Sequence, residues 1–253
     1  MLRPRVIPVL LLRGSGLVKS TRFSKYRYIG DPINAVRLFN DFRADELVFL
    51  DILATRQKRA VAVEFVKKVG EEANMPFAVG GGIRSLEEIE RLVRAGAERI
   101  VIGTAAAEDA AFVKQASDAF GSSTIIVCVD VKKGFFGRYP VYVRNGHRAT
   151  NQCAFDFVRR MEDAGAGELI IQSIDRDGGM RGYDIPLIRR VSQSLAIPLV
   201  CLGGAGSLGH MREAYSSGHA SGLAAGSMFV YHGSRRAVLV NYPGSQELQE
   251  LVV

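Results

Sequence analysis

Short apolar runs rich in β-branched residues recur along the chain, each closed by a turn signal and most followed by a stretch with helical spacing. They span Arg5 to Leu12, Glu46 to Ile52, Phe77 to Gly80, Arg99 to Gly103, Thr124 to Asp130, Glu168 to Ile174, Leu199 to Leu202 and, more weakly, Gly222 to Ala225. Each run predicts a strand. Between them the spacing changes to that of helices. In Ser85 to Val93, Ser85 is placed to cap a helix, Glu88 follows three residues on, and Leu86, Ile89, Leu92 and Val93 share one face, with Gly96 beyond the end. Strand-helix alternation of this kind requires parallel pairing with right-handed crossovers. Eight units fit a closed α/β barrel of the (β/α)8 TIM type better than an open sheet, although spacing alone leaves a doubly wound fold as the alternative.

A longer-range pattern favours the barrel. Glu46 to Ile52 matches Glu168 to Ile174 in kind and position. At the same offset Pro76 meets Pro198, Gly81 and Gly82 meet Gly203 and Gly204, Ser85 and Leu86 meet Ser207 and Leu208, and Gly96 meets Gly218. A repeat of this length is too long for a solenoid unit and suits two four-unit half-barrels, residues 1–120 and 121–253, within one domain covering 1–253. A chain of 253 residues is ordinary for a single α/β barrel.

Composition adds limits. With 47% hydrophobic and 23% charged residues the chain is neither disordered nor collagen-like. Its formal charge of +7 leaves nucleic acid and anionic small molecules both open as partners. Cys128, Cys153 and Cys201 are odd in number and lack metal-like spacing, so neither a disulfide framework nor a zinc site is expected and a reducing cytoplasm is the default. His147, His210, His219 and His232 show no ligand spacing either. The apolar run Val6 to Leu12 is too short to span a membrane and reads as a buried strand.

In such a barrel the chemistry projects from the C-terminal strand ends. Gly80-Gly81-Gly82-Ile83 and Gly203-Gly204-Ala205-Gly206 are glycine-rich strand ends, and Gly103-Thr104 and Gly226-Ser227 close strands 4 and 8. Glycines there either make tight turns or let backbone N–H groups approach an anion. Two sets at equivalent positions point to two phosphate sites flanking one mouth. Asp130 ends strand 5, where a general acid/base would stand, or else caps its loop; Asp51 and Asp177 hold comparable positions. Lys19 lies in the first loop, within reach of an anion. Aligning the halves places Leu11 opposite Asp130. The same loop interleaves Arg13, Lys19, Arg22, Lys25 and Arg27 with Phe23, Tyr26 and Tyr28, which over a barrel mouth reads as a mobile lid rather than a nucleic-acid patch. At the other end Arg5, Glu46, Arg99 and Glu168 begin strands 1, 2, 4 and 6 with alternating sign. An unpaired buried member would cost about 3 to 5 kcal/mol, so a mutually paired ring is expected.

These stretches, with Gly30-Asp31-Pro32 and Ser173-Ile174-Asp175-Arg176-Asp177-Gly178, resemble the cyclase subunit of imidazole glycerol phosphate synthase over essentially the whole chain. The resemblance implies a barrel with a glutaminase subunit docked at its N-terminal face. It implies ammonia passing a charged gate and reacting above with a bisphosphorylated ribonucleotide, with no cofactor, metal, nucleic acid or membrane involved. It maps the gate to Arg5, Glu46, Arg99 and Glu168, the phosphate sites to Gly82 and Thr104 and to Gly204 and Ser227, and the substrate-loop lysine to Lys19. Of the family's two catalytic aspartates it retains Asp130, while Leu11 stands in place of the other, and Gly103 replaces an asparagine.

Those departures resemble a divergent branch linked to acetamidino modification of sugars in surface-polysaccharide biosynthesis. There the barrel supplies ammonia to a separate sugar amidotransferase. The branch reading, a true cyclase of histidine biosynthesis and a scaffold barrel without chemistry are the three functions the sequence leaves standing. Leu11 separates the first two, and the charged gate speaks against the third.

Overall fold

The computed structural model describes residues 3–233 and 235–252. Eight strands form its barrel: β1 (Arg5–Arg13), β2 (Leu47–Asp51), β3 (Phe77–Gly80), β4 (Arg99–Ile102), β5 (Ile125–Val131), β6 (Glu168–Ser173), β7 (Leu199–Leu202) and β8 (Gly222–Ala225). Every neighbouring pair is parallel, and Arg5 to Pro8 of β1 closes the ring against Gly222 to Ala225 of β8. The open-sheet alternative is thereby removed, and the chain is a single (β/α)8 TIM barrel.

The helices α1 (Pro32–Asp41), α2 (Val63–Glu72), α3 (Leu86–Arg94), α4 (Ala110–Phe120), α5 (Ala154–Asp163), α6 (Ile185–Ser192), α7 (Leu208–Ser216) and α8 (Ser245–Gln249) follow the strands in turn. Ser85 caps α3 and forms a capping box with Glu88, while Ser207 caps α7. None among the described residues is long and apolar enough to cross a membrane.

Strand periodicity divides the core into two layers. Along β1, Val6, Leu10 and Leu12 face the helices, while Ile7 and Val9 join Val48, Ala78, Val101, Ile126, Ile170, Val200 and Ala224 inside the barrel. Between sheet and helices the packing is aromatic as well as aliphatic, as where Phe49 meets Phe65 edge-on at 5.3 Å. Burying each such side chain stabilises the fold by about 1.5–3 kcal/mol. The weak pattern of the eighth run has a packing cause. A side chain at Gly222 would strike Val200 of β7, so β8 starts with a glycine.

The strand ends differ slightly from expectation. Ser122–Thr124 form a 3-10 turn, so β5 begins at Ile125. Both β1 and β5 run one residue further than their patterns indicate, because their C-terminal ends pair with antiparallel hairpins. Residues Leu11 to Arg13 pair with Gly16 to Val18, and Asp130 and Val131 pair with Val141 and Tyr142. The first hairpin joins Gly16–Thr21 to Ser24–Gly30, and the second joins Pro140–Val143 to Arg148–Cys153.

Candidate functional site

A cavity of about 750 Å³ opens at the C-terminal end of the strands. Its floor is apolar, formed by Leu11, Leu50, Val101 and Cys128, and Asp130 enters from β5. Cations stand around it, among them Arg13, Arg56, Lys58, Arg84 and Arg144. Such a site favours an anionic ligand by desolvating its lower part while cations face the rim.

Leu11 and Asp130 both line this cavity, on strands that stand across the barrel from each other. Each pairs with the outgoing strand of its own hairpin, Leu11 with Val18 and Asp130 with Tyr142. Burial raises the Asp130 carboxyl to about 7, the charge of Asp177 adds to the effect, and a hydrogen bond from the Cys128 thiol at 3.8 Å opposes it. A carboxyl poised there can both give and take a proton near neutral pH. Leu11 can do neither.

The glycine-rich ends are not equally open. Gly82 and Thr104 line the cavity. Gly82 has φ +67°, and its missing side chain leaves room for the Arg59 carbonyl. The Thr104 hydroxyl accepts the Arg144 N–H at 3.0 Å, which ties the second hairpin to β4's end. Gly204 and Ser227 are buried instead and do not line the cavity. Gly204, at φ +113°, lies under the Gly182 carbonyl. The structure thus brings one pair of the expected phosphate residues to the mouth and covers the other.

Lys19 stands beside the end of β8, at Gly226. It belongs to a strand rather than a loop, is buried, donates to the Val9 carbonyl, and its ammonium occupies the space left by the absent side chain of Gly226. Burial lowers its pKa to about 8, against the attraction of Asp177. Asp177 fixes the same hairpin, accepting from the Ser20 hydroxyl at 2.7 Å and the Phe23 N–H at 3.3 Å. Its own carboxyl is raised, chiefly by burial. Asp51 is a turn-former, accepting from Leu53 and Ala54 at 3.0 and 3.2 Å and pairing with Arg59 at 2.6 Å.

The segment expected as a lid forms a hairpin, and its Arg13, Phe23 and Tyr26 line the cavity. Its cations and rings face each other or neighbours, with Arg13 over Tyr26 at 4.9 Å and Arg27 over Tyr231 at 5.7 Å. The second hairpin was not anticipated. It brings Arg144, Asn145 and His147 to the cavity, and Phe23 packs on its Gly146, so the two hairpins meet over the mouth. The Asn145-Gly146 pair is the sequence signal for it.

At the N-terminal end the four alternating charges come together. Arg5 donates to both Glu46 and Glu168, and Arg99 reaches Glu46 at 3.1 Å and Glu168 at 3.0 Å. The carboxylates are buried, with 3% of each side chain exposed, while Arg5 at 36% is the most open member. Burial pushes the Glu46 carboxyl up against the pull of Arg5 and Arg99. For Arg5, desolvation is outweighed by Glu168 and Glu46, and its pKa rises. Above the ring runs the apolar interior from Ile7 and Val48 to Leu202.

A closed (β/α)8 barrel with a charged ring at one end and a cation-rimmed cavity at the other defines the class. The family model described as "Histidine biosynthesis protein" matches residues 5–235. The chain is 42% identical over 252 residues to a Leptospira borgpetersenii protein provisionally named imidazole glycerol phosphate synthase subunit HisF, across 99% of each chain. It is 40% identical over 248 residues to a provisionally named hisF2 subunit of Pseudomonas aeruginosa, covering 98% of this chain and 99% of that one. Identity to the imidazole glycerol phosphate synthase subunit HisF of Alkaliphilus metalliredigens is 39% over 232 residues, 92% of each. The chain belongs to the histidine biosynthesis protein family, among its HisF-like cyclase subunits.

Proposed function

We propose that the chain is the barrel subunit of a glutamine-dependent amidotransferase complex. A partner glutaminase docks at the N-terminal face, and ammonia enters past Arg5, Glu46, Arg99 and Glu168. It rises along the apolar bore and leaves to convert an N-acetyl group of a sugar to an acetamidino group in surface-polysaccharide biosynthesis. Arg5, the most exposed member of the ring, is the side chain whose displacement opens it. A separate sugar amidotransferase performs the amidination.

The observation that carries this reading is a complete charged ring below an incomplete acid/base pair. Leu11 meets the cavity at the position equivalent to Asp130, where the family resemblance implies a second carboxyl. Residues 1–120 and 121–253 are, in the same reading, related halves of one domain. The equivalent caps at Ser85 and Ser207 and the equivalent hairpins beside Leu11 and Asp130 support it. The relatives' naming as synthase subunits supports a partnered barrel.

Arg5→Ala tests the gate in the complex reconstituted with its glutaminase and amidotransferase. It is expected to change glutamine-driven product formation and leave ammonium-driven formation as it was; equal changes in both would remove the gate.

A second reading has its own support. Gly82 and Thr104 line the cavity beside Asp130 at about 7, an arrangement suited to a cyclase that makes imidazole glycerol phosphate with one acid/base group. Turnover of the phosphoribulosyl-formimino ribonucleotide with ammonium distinguishes the two.

A further inference from the structure

The loop leaving β5 carries two phenyl rings out into water. Phe135 is 89% exposed and Phe136 fully so, and neither lines the cavity. The loop is built to hold them there. Gly134 donates to the Arg138 carbonyl at 2.7 Å and Arg138 returns a bond to Phe135 at 3.2 Å, closing its base. Lys133 N–H is tied to Asp175 at 2.8 Å, and Lys132 lies over Tyr142 at 4.5 Å. At the tip Phe136 has φ +56°, the left-handed region that costs a residue with a side chain and favours glycine. Exposed adjacent aromatics on a strained, tied-down turn are characteristic of a contact surface rather than of a loop shaped by the fold's own needs.

The charge around the rings narrows the occupant. Lys132-Lys133-Gly134-Phe135-Phe136-Gly137-Arg138 holds three cations and no carboxylate. Arg176 stands nearby at Tyr139, and the Asp175 carboxylate there already accepts from Lys133. A second copy of this chain, at +7 and presenting the same basic tip, is disfavoured by repulsion. An acidic protein surface with an apolar pocket is complementary in both respects, and aromatic anchors beside arginine are the usual energetic centre of such contacts. The loop starts two residues after Asp130, at the end of the barrel where the cavity opens. A bilayer laid across that end would cover the mouth, whereas a protein anchored on one loop leaves it open.

We propose that Phe135 and Phe136, flanked by Lys132, Lys133 and Arg138, dock an acidic partner protein that consumes the ammonia emerging from the barrel. The partner's chemistry rests on the conduit reading above; the docking surface rests on the loop alone. The test is site-specific photocrosslinking in the native host, with benzoylphenylalanine in place of Phe136 and, as control, of the exposed Asp118 on α4. The expected result is one acidic amide- or amidine-forming enzyme, identified by mass spectrometry, linked from position 136 only. Its yield is expected to fall about tenfold when Phe135→Ser is added or the three cations are neutralised. A crosslink only to this chain, only to lipid, or at the control level overturns the docking surface. So does binding to vesicles of phosphatidylglycerol that Phe135→Ser abolishes while no protein is linked. A specific crosslink to a protein that uses no ammonia keeps the surface and overturns the conduit reading. No specific crosslink from position 136, with glutamine-driven product still formed in the reconstituted complex, does the reverse.

Discussion

Asp130 makes the cavity respond to pH. Its carboxyl sits at about 7 because burial, and then the Asp177 charge, disfavour ionisation, whereas in the unfolded chain it titrates near 3.8. Between those values the folded state holds more protons than the unfolded one, so this group lowers stability as pH rises from about 4 to about 7 and adds no further slope above. Asp130→Asn is expected to be more stable than the parent at pH 8, with the difference shrinking towards pH 4, as measured by urea unfolding at both values. Leu11→Asp places a second carboxyl at the mouth. If the floor otherwise remains suited to ring closure, ammonium-dependent cyclase activity is expected to rise by about 10²-fold or more, the scale of one general acid/base group. Both residues were legible in the sequence because half-barrel symmetry aligns them. The burial of Gly204 and Ser227 was not, since Gly204 lies under the Gly182 carbonyl, which no local pattern brings to it.

The two hairpins meet over the mouth. Asp177→Ala removes the acceptor of the Ser20 hydroxyl and the Phe23 N–H while leaving the Arg22 N–H bond to the Asp177 backbone carbonyl. It is expected to cost about 1–3 kcal/mol and to raise amide exchange at residues 20–23, with the barrel strands unaffected. The first hairpin looks like a loop in sequence for a definite reason. Its turn residues Arg22 and Phe23 both take positive φ, 52° and 57°, although neither is the glycine or asparagine that normally announces such a turn. The bond network through Asp177, remote in sequence, accompanies this turn. By contrast the eight strands and the α3 cap were readable, because alternation and the Ser85–Glu88 capping box are local signals.

At the scale of the whole molecule the barrel joins two unlike ends. Below, two arginines and two buried glutamates form a ring in which each cation touches both anions. Glu168→Ala leaves Arg5 and Arg99 sharing Glu46 alone, and is expected to destabilise the fold by about 3 kcal/mol in urea unfolding. Above, Asp130 enters the cation-rimmed cavity from β5, and Leu11 faces it from β1. The central claim is that the barrel delivers ammonia instead of using it. Its most direct test is turnover of the phosphoribulosyl-formimino ribonucleotide by the purified chain at saturating ammonium, beside Leu11→Asp and a cyclase that has both aspartates. The account predicts a parent rate about 10² to 10⁴-fold below that cyclase; a parent rate equal to it would contradict the claim.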